Sequence, residues 1–478
     1  MAVDGKSRTL HRQLGPFGLL MMGIGSVVGA GIYVLPGVAA AQYAGPAVSL
    51  SFVLAALSCG FIGLCYAELA SALPDAMGGA YGYARAILGV GPAWWVAWML
   101  VLEYALAGSA VSVGLTGYLS GFLASCGIVL PSSVTGSLIV WRDGGFHLAR
   151  QINLVALFLV LTLGLVLSQG IRQASWANGC FVLLKLLVLA VFVGVGIFHL
   201  DPTLWHPFLP PSEGGFHFGL AGLLRAVAVV SFAYLGFDSI SIAASEARNP
   251  GRDVPLGLIG ALAISAVLYV LVSLVMTGLV PFRALGVASP VSLAVRALNM
   301  PVLGLILQFG SVIGLGSVLF VSLYGQSRLC QILASDGLVS PRLSLVHPGS
   351  GAPVLAVALT TGLTALTASM LPITLLADLV SIGTMIGFLV IAVAVMRLRG
   401  EADRPASRFR VPLGGIVLGR LWLGIVPVLA ILACVINLAT VLTDLVSQSL
   451  KGEWIPLAFL ALYCVAGWTL GKRQAAQG

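Results

Sequence analysis

Apolar residues run through this chain in long stretches, separated by short breaks that carry charges, prolines and glycines. Reading the stretches between those breaks predicts spans near 17–40, 46–72, 92–125, 151–169, 176–198, 219–245, 256–280, 303–334, 353–371, 374–396, 421–444 and 454–471. A hydrocarbon core of about 30 Å needs about 20 apolar residues per helix. Twelve helices would therefore consume about 240 residues, which the apolar content supplies. The longest polar stretch, Arg397 to Arg420, leaves no room for a separate soluble domain.

Composition points the same way. Of 478 residues, 59% are hydrophobic and only 8% are charged, against roughly a quarter charged in a soluble domain. An ordinary water-soluble enzyme is excluded. The 59 glycines and 23 prolines are spread through the apolar runs, as in membrane helices. Seven cysteines fall singly without a C-x-x-C pair, and six histidines are scattered. No metal site, disulfide framework or cofactor is expected.

Charge supplies the orientation. With the N-terminus inside, 17 of the 24 Lys and Arg residues fall on the cytoplasmic side, counting Arg328 near the inner end of span 303–334, five fall in outer loops, and Lys185 and Arg225 lie deep within predicted spans. By the positive-inside rule both termini are expected in the cytoplasm. The net charge of +8 reads as topology and contact with anionic lipids, not nucleic-acid binding, because the basic residues form no continuous patch. Trp94, Trp95, Trp141, Trp176, Trp205, Trp422, Trp454 and Trp468 fall near span ends, as interfacial belts do. Residues 1–16 and the apolar run ending Val38-Ala39-Ala40-Ala41 resemble a signal peptide. The run is longer and glycine-interrupted, and eleven spans follow, so it reads as a first transmembrane helix.

Two spans should break. The first contains Gly23-Ile24-Gly25-Ser26-Val27-Val28-Gly29-Ala30-Gly31-Ile32-Tyr33. Each glycine weakens a helix by about 1 kcal/mol relative to alanine. Backbone freed at mid-membrane must find partners or line a wet cavity. Transporters aim such half-helix N–H groups at a substrate carboxylate and leave carbonyls for its ammonium. The competing reading is close helix packing through small residues. The sixth span carries Ser231-Phe232-Ala233-Tyr234-Leu235-Gly236-Phe237-Asp238-Ser239, where a carboxylate inside an apolar run needs water, a partner or a helix N-terminus. Spans one and six open two possible five-helix halves, the positions where interruptions of inverted repeats mark a midplane site.

Glu103 lies nine residues beyond Trp94, and Lys185 nine beyond Trp176. Nine helical steps bury each side chain about 13 Å deep from the same face. An isolated charge there costs at least about 2.5–3.5 kcal/mol. Snorkelling, a static ion pair and a functional role are the three readings.

Together these motifs are recognisable. G-x-G-x-x-x-G-A-G-I-Y-V-L-P-G in the first span and F-A-Y-L-G-F-D in the sixth resemble the amino acid–polyamine–organocation superfamily, and within it the cationic amino acid transporter family. Glu246-x-x-Asn249-Pro250-x-Arg252-x-x-Pro255, Thr277-Gly278-x-Val280-Pro281, Gly325-Gln326-Ser327-Arg328, Asp336-Gly337-Leu338, Ala377-Asp378-Leu379-Val380-Ser381-Ile382-Gly383-Thr384 and Phe409-Arg410-Val411-Pro412 also match. The resemblance implies an all-α integral membrane protein of the LeuT-like fold in its bacterial twelve-span form. Its parts would be a cytoplasmic segment 1–16, a first inverted repeat 17–200, a second 201–396, a cytoplasmic loop 397–420, terminal helices 421–471 and a tail 472–478. The location implied is a bacterial inner membrane.

By that resemblance the substrate carboxylate would meet N–H groups around Gly29, Ala30 and Gly31. Its ammonium would meet carbonyls near Val27 or Val28, Phe232, Ala233 and Leu235, and Phe232 would gate the substrate. Lys185 matches a lysine of proton-coupled bacterial relatives, whose amine stands where sodium-coupled members of the fold bind sodium. Loss of its proton would favour another conformation. Glu103 matches a family glutamate, a relay or partner of the site. Ser322 would line the side-chain subsite, with Ala30 shared by eukaryotic cationic transporters. That pattern leans to Arg or Lys substrates. Against it, Arg225 about 10 Å above Phe232 either repels cations or snorkels to headgroups, leaving small neutral amino acids as the other class. The expectation is a sodium-independent, proton-coupled amino acid transporter working by alternating access, with an exchanger of the same fold as its rival. An intramembrane enzyme would need a nucleophile–base pair or metal cluster, and a channel would need charged rings or filter loops; neither pattern is seen.

Overall fold

The computed structural model describes residues 15–74, 76, 78–142, 145–169, 174–242, 244, 247–347, 350–401, 407–450 and 454–475. Most of the N-terminal segment, Glu246, residues 402–406 and the last three residues therefore lie outside the described residues, as do the side chains of Ala30, Trp141 and Trp176.

The chain is a bundle of apolar helices. The first span is α1 (Pro16–Val27), α2 (Ala30–Tyr33) and α3 (Leu35–Ala39), which a π-helical turn and a 3-10 turn join to α4 (Val48–Ala72). A short α5 (Ala80–Leu88) leads into the long α6 (Val90–Ser125). Next come α7 (Ser132–Thr135), the hairpin β1 (Ile139–Arg142) with β2 (Gly145–Leu148), α8 (Leu154–Ser168) and α9 (Ala174–Gly196). The sixth span is α10 (Gly219–Ser231), a 3-10 turn at Phe232–Tyr234 and α11 (Ser239–Ile242). The remainder is α12 (Pro250–Leu279), α13 (Pro290–Ala297), α14 (Pro301–Ser335), α15 (Val354–Met370), α16 (Ile373–Gly400), hairpin β3 (Gly415–Leu418) with β4 (Leu421–Gly424), α17 (Ile425–Leu450) and α18 (Ile455–Ala475).

Eight helical segments among the described residues are long and apolar enough to cross a membrane, and four shorter apolar helices accompany them. The solvent explains their surfaces. Phe158, Leu165, Leu183, Leu187, Leu432 and Ile436 are exposed on α8, α9 and α17, which lipid accepts and water would not. Inside, α6 packs on α14 and α16, and α12 packs on α1 and α4.

Two differences from the sequence-based spans concern segments at the membrane edge. Residues 139–142 pair antiparallel with 145–148, and 415–418 with 421–424, although the chain reads as all-helical. The eleventh span accordingly begins at Ile425, not near 421. Gly414 and Gly419 hold φ of 60° and 61°, values that stop a helix from starting earlier.

Candidate functional site

Both expected interruptions are present. In the first span the regular bonds end with Val28 N–H donating to Ile24 O, and resume with Ile32 N–H donating to Gly29 O. The intervening N–H groups of Gly29, Ala30 and Gly31 sit at the start of α2, where a helix has no internal acceptors to offer. In the sixth span, Leu235 N–H donates to Phe232 O and the chain then turns through Gly236. Gly236 holds φ +99° and a Cβ there would stand 2.9 Å from Ser26 Cβ. Only glycine combines that dihedral with such a close approach. Ser26 and Ser239 hydroxyls pair at 3.0 Å across the two breaks. Further along, a Cβ on Gly31 would overlap Ala233 Cα, so the two interrupted segments touch backbone to backbone.

Lys185 reaches into this junction from α9. Its side chain is fully buried. Nζ donates to Gly25 O at 2.5 Å and to Val28 O at 2.9 Å, and its stem packs where a Cβ on Gly314 of α14 would lie 3.1 Å from Lys185 Cβ. The ammonium thus meets carbonyls stripped of helical partners, the arrangement that makes a buried charge tolerable. From α12, the Tyr269 hydroxyl stands 2.8 Å from Val27 O and 2.6 Å from Ala233 O, one carbonyl from each interruption. Phe232 is buried beside them in its 3-10 turn. Above Gly29 lies Val318 of α14, whose Cγ1 would be 2.9 Å from a Cβ there. Ser322 is one helical turn further along the same face and stands opposite Gly108 of α6.

A family model for amino acid permeases matches residues 14–466. The chain belongs to the amino acid permease family. It is 40% identical over 435 residues to a branched-chain amino acid permease of Bacillus subtilis (strain 168), covering 91% of this chain and 89% of that protein. It is also 37% identical to a methylthioribose transporter of the same organism, over 87% of each chain. With cationic amino acid transporter 9, chloroplastic, of Arabidopsis thaliana it shares 35% identity over 84% of this chain and 69% of the relative. The permease is a multi-pass membrane transporter of amino acids on the LeuT-like fold, and not an enzyme.

Three buried charges of the permease decide between readings that the sequence leaves open. Glu103 and Lys185 are not an ion pair. Lys185 faces α1, whereas Glu103 lies within electrostatic range of Asp238, on the side of Thr384 of α16, and the Asp238 carboxylate accepts from Tyr104 Oη at 3.2 Å. Equal depth on two helices does not specify direction around each axis. Arg225 does not snorkel. It is 1% exposed, and its NH2 group lies 2.9 Å from both Asp378 of α16 and Asp444 of α17. Its guanidinium also lies 5.3 Å from the centre of the Tyr43 ring. Two carboxylates outweigh one guanidinium, so the cluster presents no surplus positive charge.

Tyr269, Asp378 and Asp444 join the site only in the folded structure. Asp378 stood within a matched motif and Asp444 in a span, both visible as intramembrane carboxylates. Tyr269 had no such signal, being one tyrosine in an apolar helix.

Proposed function

We propose that the permease carries its amino acid through the junction of the two interruptions by alternating access, without sodium and driven by protons. The observation that carries this reading is the Lys185 ammonium on Gly25 O and Val28 O, a fixed cation among freed carbonyls. In this reading the substrate carboxylate takes the N–H groups of Gly29, Ala30 and Gly31. Its ammonium takes carbonyls among Val27, Val28, Phe232, Ala233 and Leu235. Lys185 already donates to Val28 O, the one Tyr269 hydroxyl proton is shared between Val27 O and Ala233 O, and each oxygen keeps a second lone pair. Phe232 closes over the bound molecule, and Glu103 with Asp238 relays the proton.

The apolar Val318 over Gly29 favours a neutral, aliphatic side chain, in keeping with the branched-chain permease among its relatives. Cationic substrates are the second reading, favoured by the buried carboxylates of Glu103 and Asp238 and by relatives named for cationic amino acids. The excess of basic residues on one side supports cytoplasmic termini in a bacterial inner membrane.

Purified permease in proteoliposomes tests this. Competition by the twenty amino acids against a radiolabelled aliphatic one should rank aliphatic above basic. An inward pH gradient should drive accumulation equally with and without sodium. Sodium-dependent uptake, or uptake only against preloaded amino acid, would replace the proposal with a sodium symporter or an exchanger.

A further inference from the structure

The hairpin of β3 and β4 has two unlike faces. Its register pairs Gly415 with Gly424, Ile416 with Leu423, Val417 with Trp422 and Leu418 with Leu421. Residues directly opposite in an antiparallel pair share a face. One face therefore carries Gly415, Val417, Trp422 and Gly424, and the other carries Ile416, Leu418, Leu421 and Leu423.

The first face is fastened to the bundle through Trp422, although Val417 at its outer edge is 59% exposed. Trp422 is 6% exposed and covers Gly415 and Gly424, its neighbours on the same face. Arg399, at the end of α16, stacks 4.0 Å from the Trp422 ring centre and makes a two-pronged contact with Glu68 of α4, at 2.6 and 2.7 Å. Glu68 also accepts from Val411 N–H at 2.7 Å. The tip bends back so that Arg420 O abuts Gly400. These ties hold the hairpin at the level where α4 and α16 end, the rim of the membrane-spanning bundle.

The second face is bare. Ile416, Leu418, Leu421 and Leu423 are 75%, 68%, 40% and 39% exposed. Four aliphatic side chains on one small sheet face, in water, would be an aggregation site. Two observations name the occupant. First, β4 runs directly into α17, whose exposed row Ile425, Leu429, Leu432 and Ile436 is lipid-facing, so the bare face continues an apolar surface at its edge. Second, Arg408, Arg410 and Arg420 are exposed around the hairpin, the charge that suits phosphate headgroups of anionic lipid.

We infer that this hairpin is an interfacial lipid-binding element, which lays Ile416, Leu418, Leu421 and Leu423 among the first acyl carbons and sets Arg410 and Arg420 against anionic headgroups. It fixes the depth of α16 and α17, to which it is bound on its other face.

The test uses the full chain with the photoreactive residue benzoylphenylalanine at Leu418 and, separately, at Ile416. Each variant is illuminated in nanodiscs of equal parts phosphatidylcholine and phosphatidylglycerol, then read by intact-chain mass spectrometry. The expected product is the chain plus one lipid, enriched several-fold in phosphatidylglycerol, with the enrichment lost in Arg410→Gln/Arg420→Gln. An adduct with a second copy or another polypeptide, no adduct at either position, or lipid adducts without headgroup preference would overturn the inference.

Discussion

The ammonium of Lys185 lies 2.9 Å from the carbonyl oxygen of Val28, at the point where the first helix stops. A cation held there is fixed by chain geometry and exchanges only its proton. Replacing Lys185 by alanine should abolish proton-driven accumulation. Binding of substrate to the variant, read by scintillation proximity, should survive at reduced affinity. Proton-driven uptake unchanged from the parent would remove Lys185 from the mechanism.

Tyr269 ties the two interruptions through one hydroxyl shared by Val27 O and Ala233 O. An interhelical hydrogen bond in a membrane is worth about 1–2 kcal/mol. Tyr269→Phe should therefore weaken substrate binding by up to about tenfold and lower the melting temperature by a few degrees, while leaving the ring packing with Phe52 and Tyr234 intact. Equal Kd for parent and variant would show that the shared hydroxyl does not shape the site.

Gly31 meets the Ala233 backbone with no space for a methyl group. Overpacking costs about 1–3 kcal/mol where the neighbour yields, and here the neighbour is main chain. Gly31→Ala should eliminate transport and reduce folded yield on size-exclusion chromatography. Gly60→Ala, at a position with open space around it, is the matched control and should behave as parent.

Arg225 holds Asp378 and Asp444 together between α10, α16 and α17. Removing one partner of a buried pair costs about 3–5 kcal/mol because it strands the opposite charge. Arg225→Met should be strongly destabilised in a thermal assay. Adding Asp378→Asn and Asp444→Asn should recover most of the loss. Failure of that rescue would mean that the cluster contributes through packing and not charge balance.

Much of this protein is legible in its residues one stretch at a time. Apolar run length against bilayer thickness sets the spans, and clustered glycines in the first span and Gly236 with Asp238 in the sixth place the two interruptions. Those are local properties, decided by solvent and backbone freedom, and a linear reading has access to both. Direction is different. Glu103 and Lys185 share a depth, yet one turns to Asp238 and the other to Val28. Arg225 looked like a lone cation until α16 and α17 brought Asp378 and Asp444 to it. Trp422 and Leu418 sit four residues apart in one hairpin but face protein and open surface respectively. In each case the partner lies on a helix far away in the chain, so its identity depends on how the spans pack. No periodicity within a single span encodes that.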